Sequence, residues 1–151
     1  MSVGNSALYG SDLMRRLDEA DVEVVCQSAK YMQYPAGETI FKENEEAYAV
    51  CVLLEGRVGL QMEVGNQRQL LVSTLDPGEM FAWSGLVAPH NFTATAKAIV
   101  DSEVAVFKSE DLSRLFDDRP RLGYQVMTNI ALIIGERLRD SHLQLLGLFG
   151  V

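Results

Sequence analysis

The stretch Tyr34-Pro-Ala-Gly-Glu-Thr-Ile-Phe41 decides the fold. Pro35-Ala36-Gly37 is a turn signal, because proline holds its own φ near −65° and glycine takes a positive φ without a side-chain clash. On either side stand short runs rich in aromatic and β-branched residues, Tyr31–Tyr34 before and Thr39–Phe41 after. Runs this short between turn residues read as strands. The same grammar continues outward. Ala47–Leu54 and Arg57–Glu63 flank Glu55-Gly56, Arg68–Leu75 follows Gly65-Asn66, and Asp76-Pro77-Gly78 closes it. Thr93–Ile99 and Glu103–Lys108 come after Ala88-Pro89-His90-Asn91. Seven or eight strands at this spacing predict an antiparallel sandwich or barrel over residues 31–108.

Helical periods flank the strands. Leu8, Leu13 and Leu17 fall near helical spacing, and Asp18 or Asp21 can cap a second turn carrying Val22, Val25, Cys26 and Ala29, so residues 7–30 read as helical. Ser109 can cap a short helix with Glu110 and Asp111 in its first turn. Pro120 suits the first position of a last helix running to about Leu146, roughly 40 Å long. Its apolar surface is broad: Leu122, Val126, Ile130, Ile133 and Leu138 lie on one side, with Met127, Ala131, Ile134 and Leu145 adjoining. A barrel covers one stripe of a helix. Either the helix only packs on its own barrel, or the remainder is a homodimer seam, for which Val126, Ile130, Ile134 and Leu138 are the expected contacts.

The length of 151 residues fits a single domain over 1–151, with helices to residue 30, a barrel over 31–108 and C-terminal helices over 109–147. Thirteen basic against 21 acidic residues give a net charge of −8, which argues against a nucleic-acid or anionic-membrane partner. Two cysteines make no disulfide framework, and two histidines leave little for a metal. Met1–Leu17 is too polar for a signal peptide, and the apolar run Ile130–Ile134 is far short of a membrane span. These readings predict a cytoplasmic protein without a metal or cofactor. No serine or cysteine triad, phosphate loop or zinc spacing is present, so an enzyme is not expected.

Four segments together resemble the cyclic-nucleotide-binding domain family, of the kind found as the sensor of catabolite-activator-type proteins. They are Tyr34–Phe41, Val52-Leu-Leu-Glu-Gly-Arg-Val58, Leu75-Asp-Pro-Gly-Glu-Met-Phe81 and Thr93-Ala-Thr-Ala-Lys-Ala98. The resemblance covers about Leu13 to Leu146 and implies N-terminal helices, an eight-stranded jelly-roll barrel (a double-stranded β-helix) and C-terminal helices. In activator-type members the last helix forms the dimer interface and a helix-turn-helix follows it; here only Gly147–Val151 follow Leu146, so this chain by itself is not expected to enter a DNA groove.

The family's phosphate-binding cassette reads Phe-Gly-Glu, a small residue and an apolar pair, then a loop and Arg followed by a small residue. A short helix presents amide groups to the cyclic phosphate, the arginine pairs with it, and the glutamate accepts from the ribose hydroxyl. The matching stretch here is Phe81-Ala82-Trp83-Ser84-Gly85-Leu86, then Phe92-Thr93. Ala82 stands for the glycine, Trp83 for the glutamate and Phe92 for the arginine. Ser84 can cap the short helix and Thr93 keeps a hydroxyl. Losing an arginine that faces a buried phosphate costs about 2–5 kcal/mol, so neither cyclic AMP nor cyclic GMP is the expected ligand. Three alternatives stay open: Trp83 and Phe92 fill the vacated pocket and leave an adaptor, they wall a pocket for a less anionic small molecule, or backbone amides alone still hold a nucleotide. Lys97 is the nearest cation in sequence and belongs to the opposite strand face. His90 reads as an exposed loop residue, and Cys26 and Cys51 as small buried hydrophobes.

Overall fold

A computed structural model describes residues 3–150; residues 1, 2 and 151 of the expected single domain lie outside the described part. Helix α1 (Val3–Tyr9), a 3₁₀ turn (Asp12–Met14) and α2 (Glu19–Cys26) precede eight strands. These are β1 (Ala29–Tyr34), β2 (Thr39–Phe41), β3 (Ala49–Glu55), β4 (Val58–Val64), β5 (Arg68–Leu75), β6 (Met80–Phe81), β7 (Thr95–Ala98) and β8 (Ser102–Lys108). A second 3₁₀ turn (Trp83–Gly85) lies between β6 and β7, and α3 (Ser109–Asp118) and α4 (Pro120–Leu148) end the chain.

The strands form two four-stranded antiparallel sheets, β1-β8-β3-β6 and β2-β7-β4-β5. Chain-adjacent strands mostly lie in different sheets, which is the jelly-roll arrangement the motifs implied. Strand β1 begins at Ala29, two residues inside the stretch read as helical, and extends the ladder to Phe107. Strand β6 is the eighth strand; two residues paired to Val52 and Cys51 are too few to register as a period. Between the sheets pack Phe41, Cys51, Leu53, Val58, Leu75, Phe81, Phe92, Ala96 and Val104. Outside the β1-β8-β3-β6 sheet, Val50, Val52, Ala105 and Phe107 meet Leu8, Leu13, Val22, Val25 and the near side of α4. Strand β3 is thus buried on both faces, which is why it reads as an unbroken apolar run.

The caps partly match. Asp18 accepts from the Asp21 amide at 2.8 Å and starts α2. Ser109 does not cap α3: Lys108 occupies that place and the buried Ser109 Oγ has no partner among the described residues. In α4, Leu122, Val126, Asn129, Ile130 and Ile133 face inward. Asn129 is fully buried, and its Nδ2 donates to the carbonyls of Leu13 and Arg15, both at 2.8 Å. Its Oδ1 accepts from Gln125 at 3.0 Å. One amide side chain therefore ties the N-terminal segment to the last helix. No helix among the described residues is long and apolar enough to cross a membrane.

Candidate functional site

The cassette turn is built from backbone before side chains. Asp76-Pro77-Gly78 reverses the chain, with the Gly78 amide donating to Leu53 O at 2.7 Å, and β6 then brings Phe81 beside Cys51. Ala82 follows in the left-handed region, at φ 64° and ψ 39°. A Cβ there costs roughly 1–2 kcal/mol relative to the usual basins, and glycine, the family residue, would escape it. Next, Trp83–Gly85 winds into one 3₁₀ turn laid on β3. A Cβ on Gly85 would come within 2.4 Å of the Ala49 carbonyl oxygen, so only glycine permits this approach. Ser84 is buried inside the turn and is not its cap; Ala82 holds that position without a side-chain hydrogen bond. His90, on the exposed loop beyond, has Nδ1 3.1 Å from the Ser84 carbonyl.

Phe92 and Trp83 separate. Phe92 is 3% exposed and turns into the barrel, stacked on Phe41 with ring centroids 3.9 Å apart and edge-on to Tyr48 at 5.9 Å. Trp83 stays half-buried and lines an open cavity of about 620 Å³. Its other walls are the β4–β5 hairpin (Leu60, Met62, Leu70, Leu71, Val72, Ser73), Thr93 and Ala94, and Arg137, Asp140, Ser141 and Gln144 of α4. The two rings therefore do not jointly plug the pocket.

Arg137 is the residue that the motif comparison missed. It lies far along the chain from the cassette, yet it lines both this cavity and a small void bounded by Ala82, Trp83, Ser84, Phe92 and Thr93. One of its Nη atoms donates to the Met80 carbonyl. The Asp12 carboxylate accepts from the Met80 amide at 2.8 Å, so both sides of one peptide-bonded residue are clamped. Burial lowers the Arg137 pKa, opposed by the charges of Asp12, Glu79 and Glu136. Burial also raises Asp12, offset by the Met80 amide and Arg137. The sequence signal for Arg137 is its position one turn beyond Ile133 on the inward face of α4, detectable by helical phase but not by local motif.

The expected seam residues are corrected in part. Val126 and Ile130 are almost completely covered by the chain's own core, at 0% and 1% exposure, and offer nothing to a second copy. They sit on the barrel side because they share a face with Leu122 and Ile133 at i, i+4 and i, i+3 spacing. Ile134 is half-buried and Leu138 is 55% exposed. A second stripe repeats Tyr124, Met127, Ala131, Ile134, Leu138, Ser141, Leu145 and Leu148, alternating three and four residues apart; Met127 and Ile134 lean against the core, Ser141 edges the cavity, and the others are exposed. Of the cassette residues, Ala82, Trp83, Ser84, Phe92 and Thr93 gather around the void with Arg137, whereas Gly85 lies on β3 at Ala49 and Leu86 packs against the outer core cluster.

Comparison with known proteins supplies the family. The model of the cyclic nucleotide-binding domain matches residues 31–119, more than half of the chain. The chain is 28% identical over 139 residues to the cyclic AMP receptor protein of Thermus thermophilus, covering 91% of this chain and 62% of that protein. It therefore spans less than two thirds of that relative. The crystal structure of the Thermus thermophilus catabolite activator protein superposes with a TM-score of 0.78 at 27% identity, over 91% of this chain and 63% of the other. A cyclic nucleotide-binding domain from Methylobacillus flagellatus reaches 0.85 at 15% identity, over 96% and 85%, which shows the shared fold. Glycine-punctuated strands, two jelly-roll sheets and a cassette turn beneath a long helix agree with that match: the chain belongs to the cyclic nucleotide-binding domain family.

Proposed function

We propose that this chain is a noncatalytic sensor whose cavity holds a small molecule other than cyclic AMP or cyclic GMP. The open cavity walled by Trp83 and Arg137, with Phe92 folded away into the barrel, carries the reading. A cyclic nucleotide would meet an indole where the family places its ribose-binding carboxylate and no cation on the cassette side. Arg137 is the sole cation on the cavity wall among the described residues, and it approaches from α4 with Asp140 one turn away. The lining suits a flat apolar body against Trp83, Leu60 and Leu71 and a single anionic or accepting group between Thr93 and Arg137. An open cavity favours this over an adaptor with a filled pocket.

The same cation supplies a route to signalling. A ligand anion competes with the Met80 carbonyl for the Arg137 guanidinium and so draws on α4, with differential contact in two helix positions providing the energy. The readout is a homodimer joined along the second stripe of α4, centred on the exposed Ala131, Leu138 and Leu145 with Met127 and Ile134 at its edge, a spacing that matches a two-helix seam. Trp83 is the only tryptophan and reports directly on the cavity. Titration with cyclic AMP and cyclic GMP should leave its emission unchanged through the micromolar range, while a screen of small aromatic and aliphatic acids should yield a saturable response that Arg137→Gln abolishes. Micromolar cyclic-nucleotide binding lost on Thr93→Val overturns the proposal.

A further inference from the structure

A second cavity shares no lining residue with the first. It is a slot of about 170 Å³ bounded by Tyr34, Ile40, Phe41, Tyr48, Cys51 and Phe92, with Met32, Ala49, Val106, Lys30 and Lys108 completing it. The strand register explains how it forms. Lys30 pairs with Val106, Val106 with Cys51, and Lys108 with Ala49, so both lysines stand on the face of the β1-β8-β3-β6 sheet that carries Cys51 into the barrel. Where the barrel core runs out beyond Cys51 and Phe92, the next side chains on that face are lysines.

We propose that this slot is a binding site for a small aromatic carboxylate, its ring between the Phe41–Phe92 stack and Cys51 and its carboxylate held by Lys30 and Lys108. Size sets the ring: engineered apolar cavities of about 150 Å³ take up benzene. Charge sets the head group. In a chain with 21 acidic and 13 basic residues, two lysines converge on one apolar mouth. Neither makes an ion pair among the described residues. A carboxylate supplies the missing counter-charge while the ring displaces water from aromatic walls. Burial, with Cys51 next, raises the phenols of Tyr34 and Tyr48, so both remain protonated and able to donate. Glu38 and Glu45 add to that effect and are the carboxylates near the tyrosines. The Phe41–Phe92 pair also bounds the small void containing Trp83 and Arg137. The slot's chemistry is independent of what occupies the larger cavity.

Methionine methyls separate the two sites, because Met32 lines the slot and Met62 lines the larger cavity. The full chain, carrying ¹³C-methyl methionine, is titrated with benzoate and with benzyl alcohol up to about 10 mM, a range that detects millimolar affinity. Benzoate should shift the Met32 methyl saturably, with a midpoint of its own whether or not Met62 and Trp83 also respond. The Lys30→Gln/Lys108→Gln double variant, changed only at the slot's mouth, should weaken benzoate at least about fivefold while benzyl alcohol binds as before. Absence of a saturable Met32 shift, a shift confined to Met62, or a smaller loss in the double variant overturns the proposal. Because the reporters differ, the sensor reading stands or falls separately.

Discussion

From Pro120 to Ile133, α4 lays Leu122, Val126, Ile130 and Ile133 into the core and anchors itself through Asn129; from Leu138 to Leu148 it carries five leucines that are 48–83% exposed. The composition of the two halves is alike, and only their surroundings differ. The first half lies over α2, the first 3₁₀ turn and the outer face of β3, whereas the second faces the barrel only across the open cavity, through Arg137, Asp140, Ser141 and Gln144. Apolar side chains in a helix therefore announce burial without saying by what. Arg137 marks the change, holding the Met80 carbonyl at the last point where helix and barrel touch closely.

The largest contrast is expected from one charge placed in each half. Ile130→Asp should cost more than about 4 kcal/mol, since it buries a carboxylate without a partner, and thermal unfolding should show little folded protein. Leu138→Asp should leave stability within about 0.5 kcal/mol as a surface change, yet sedimentation should show the dimer dissociated. A monomeric parent at tens of micromolar would remove the seam from this comparison. Next in size, Asn129→Leu strands the Leu13 and Arg15 carbonyls and should cost about 2–4 kcal/mol. Hydrogen exchange should then rise in the N-terminal segment and not beyond Leu138.

Alkaline pH probes the docked half's surroundings. Burial pushes Cys26, which packs against that cluster, from 9.0 up to about 11, and Cys51 from 9.0 up to about 12. Both folded values exceed the unfolded one, so the unfolded chain releases protons first. The stability due to the neutral thiols is complete below pH 9 and is lost as pH climbs toward 11–12, by up to about 1.4 kcal/mol per pH unit for each thiol. Denaturant melts of the parent and of Cys26→Ala should differ in that slope. Smallest of all, Ala82→Gly relieves a left-handed alanine beside the Arg137 void and should stabilise by about 1 kcal/mol, read as a shift in the denaturation midpoint.

Local signals made most of the barrel legible. Turn residues and short β-branched runs located seven strands, whereas β6 escaped because two residues carry no period. The turn over Phe81–Leu86 was readable for the same reason, and the reading of Trp83 and Phe92 in place of an acid and a base rests on the sequence resemblance alone. What stayed hidden was directional. Nothing local distinguishes a Phe92 that walls a cavity from one that stacks on Phe41, and only helical phase relative to Ile133 brings Arg137 to the void. Likewise Val126 and Ile130 resemble seam residues until the N-terminal helices are placed upon them.

The contact between Gly85 and the Ala49 carbonyl has a lasting effect on what this protein can become. Trp83 is half-buried at the edge of the open cavity and can be exchanged with little loss of packing, whereas Phe92 is locked into the barrel core. Position 85 offers no such freedom, because even a methyl group would prise the turn from the strand. Any new specificity acquired by this scaffold must be written around an unaltered hairpin of main chain.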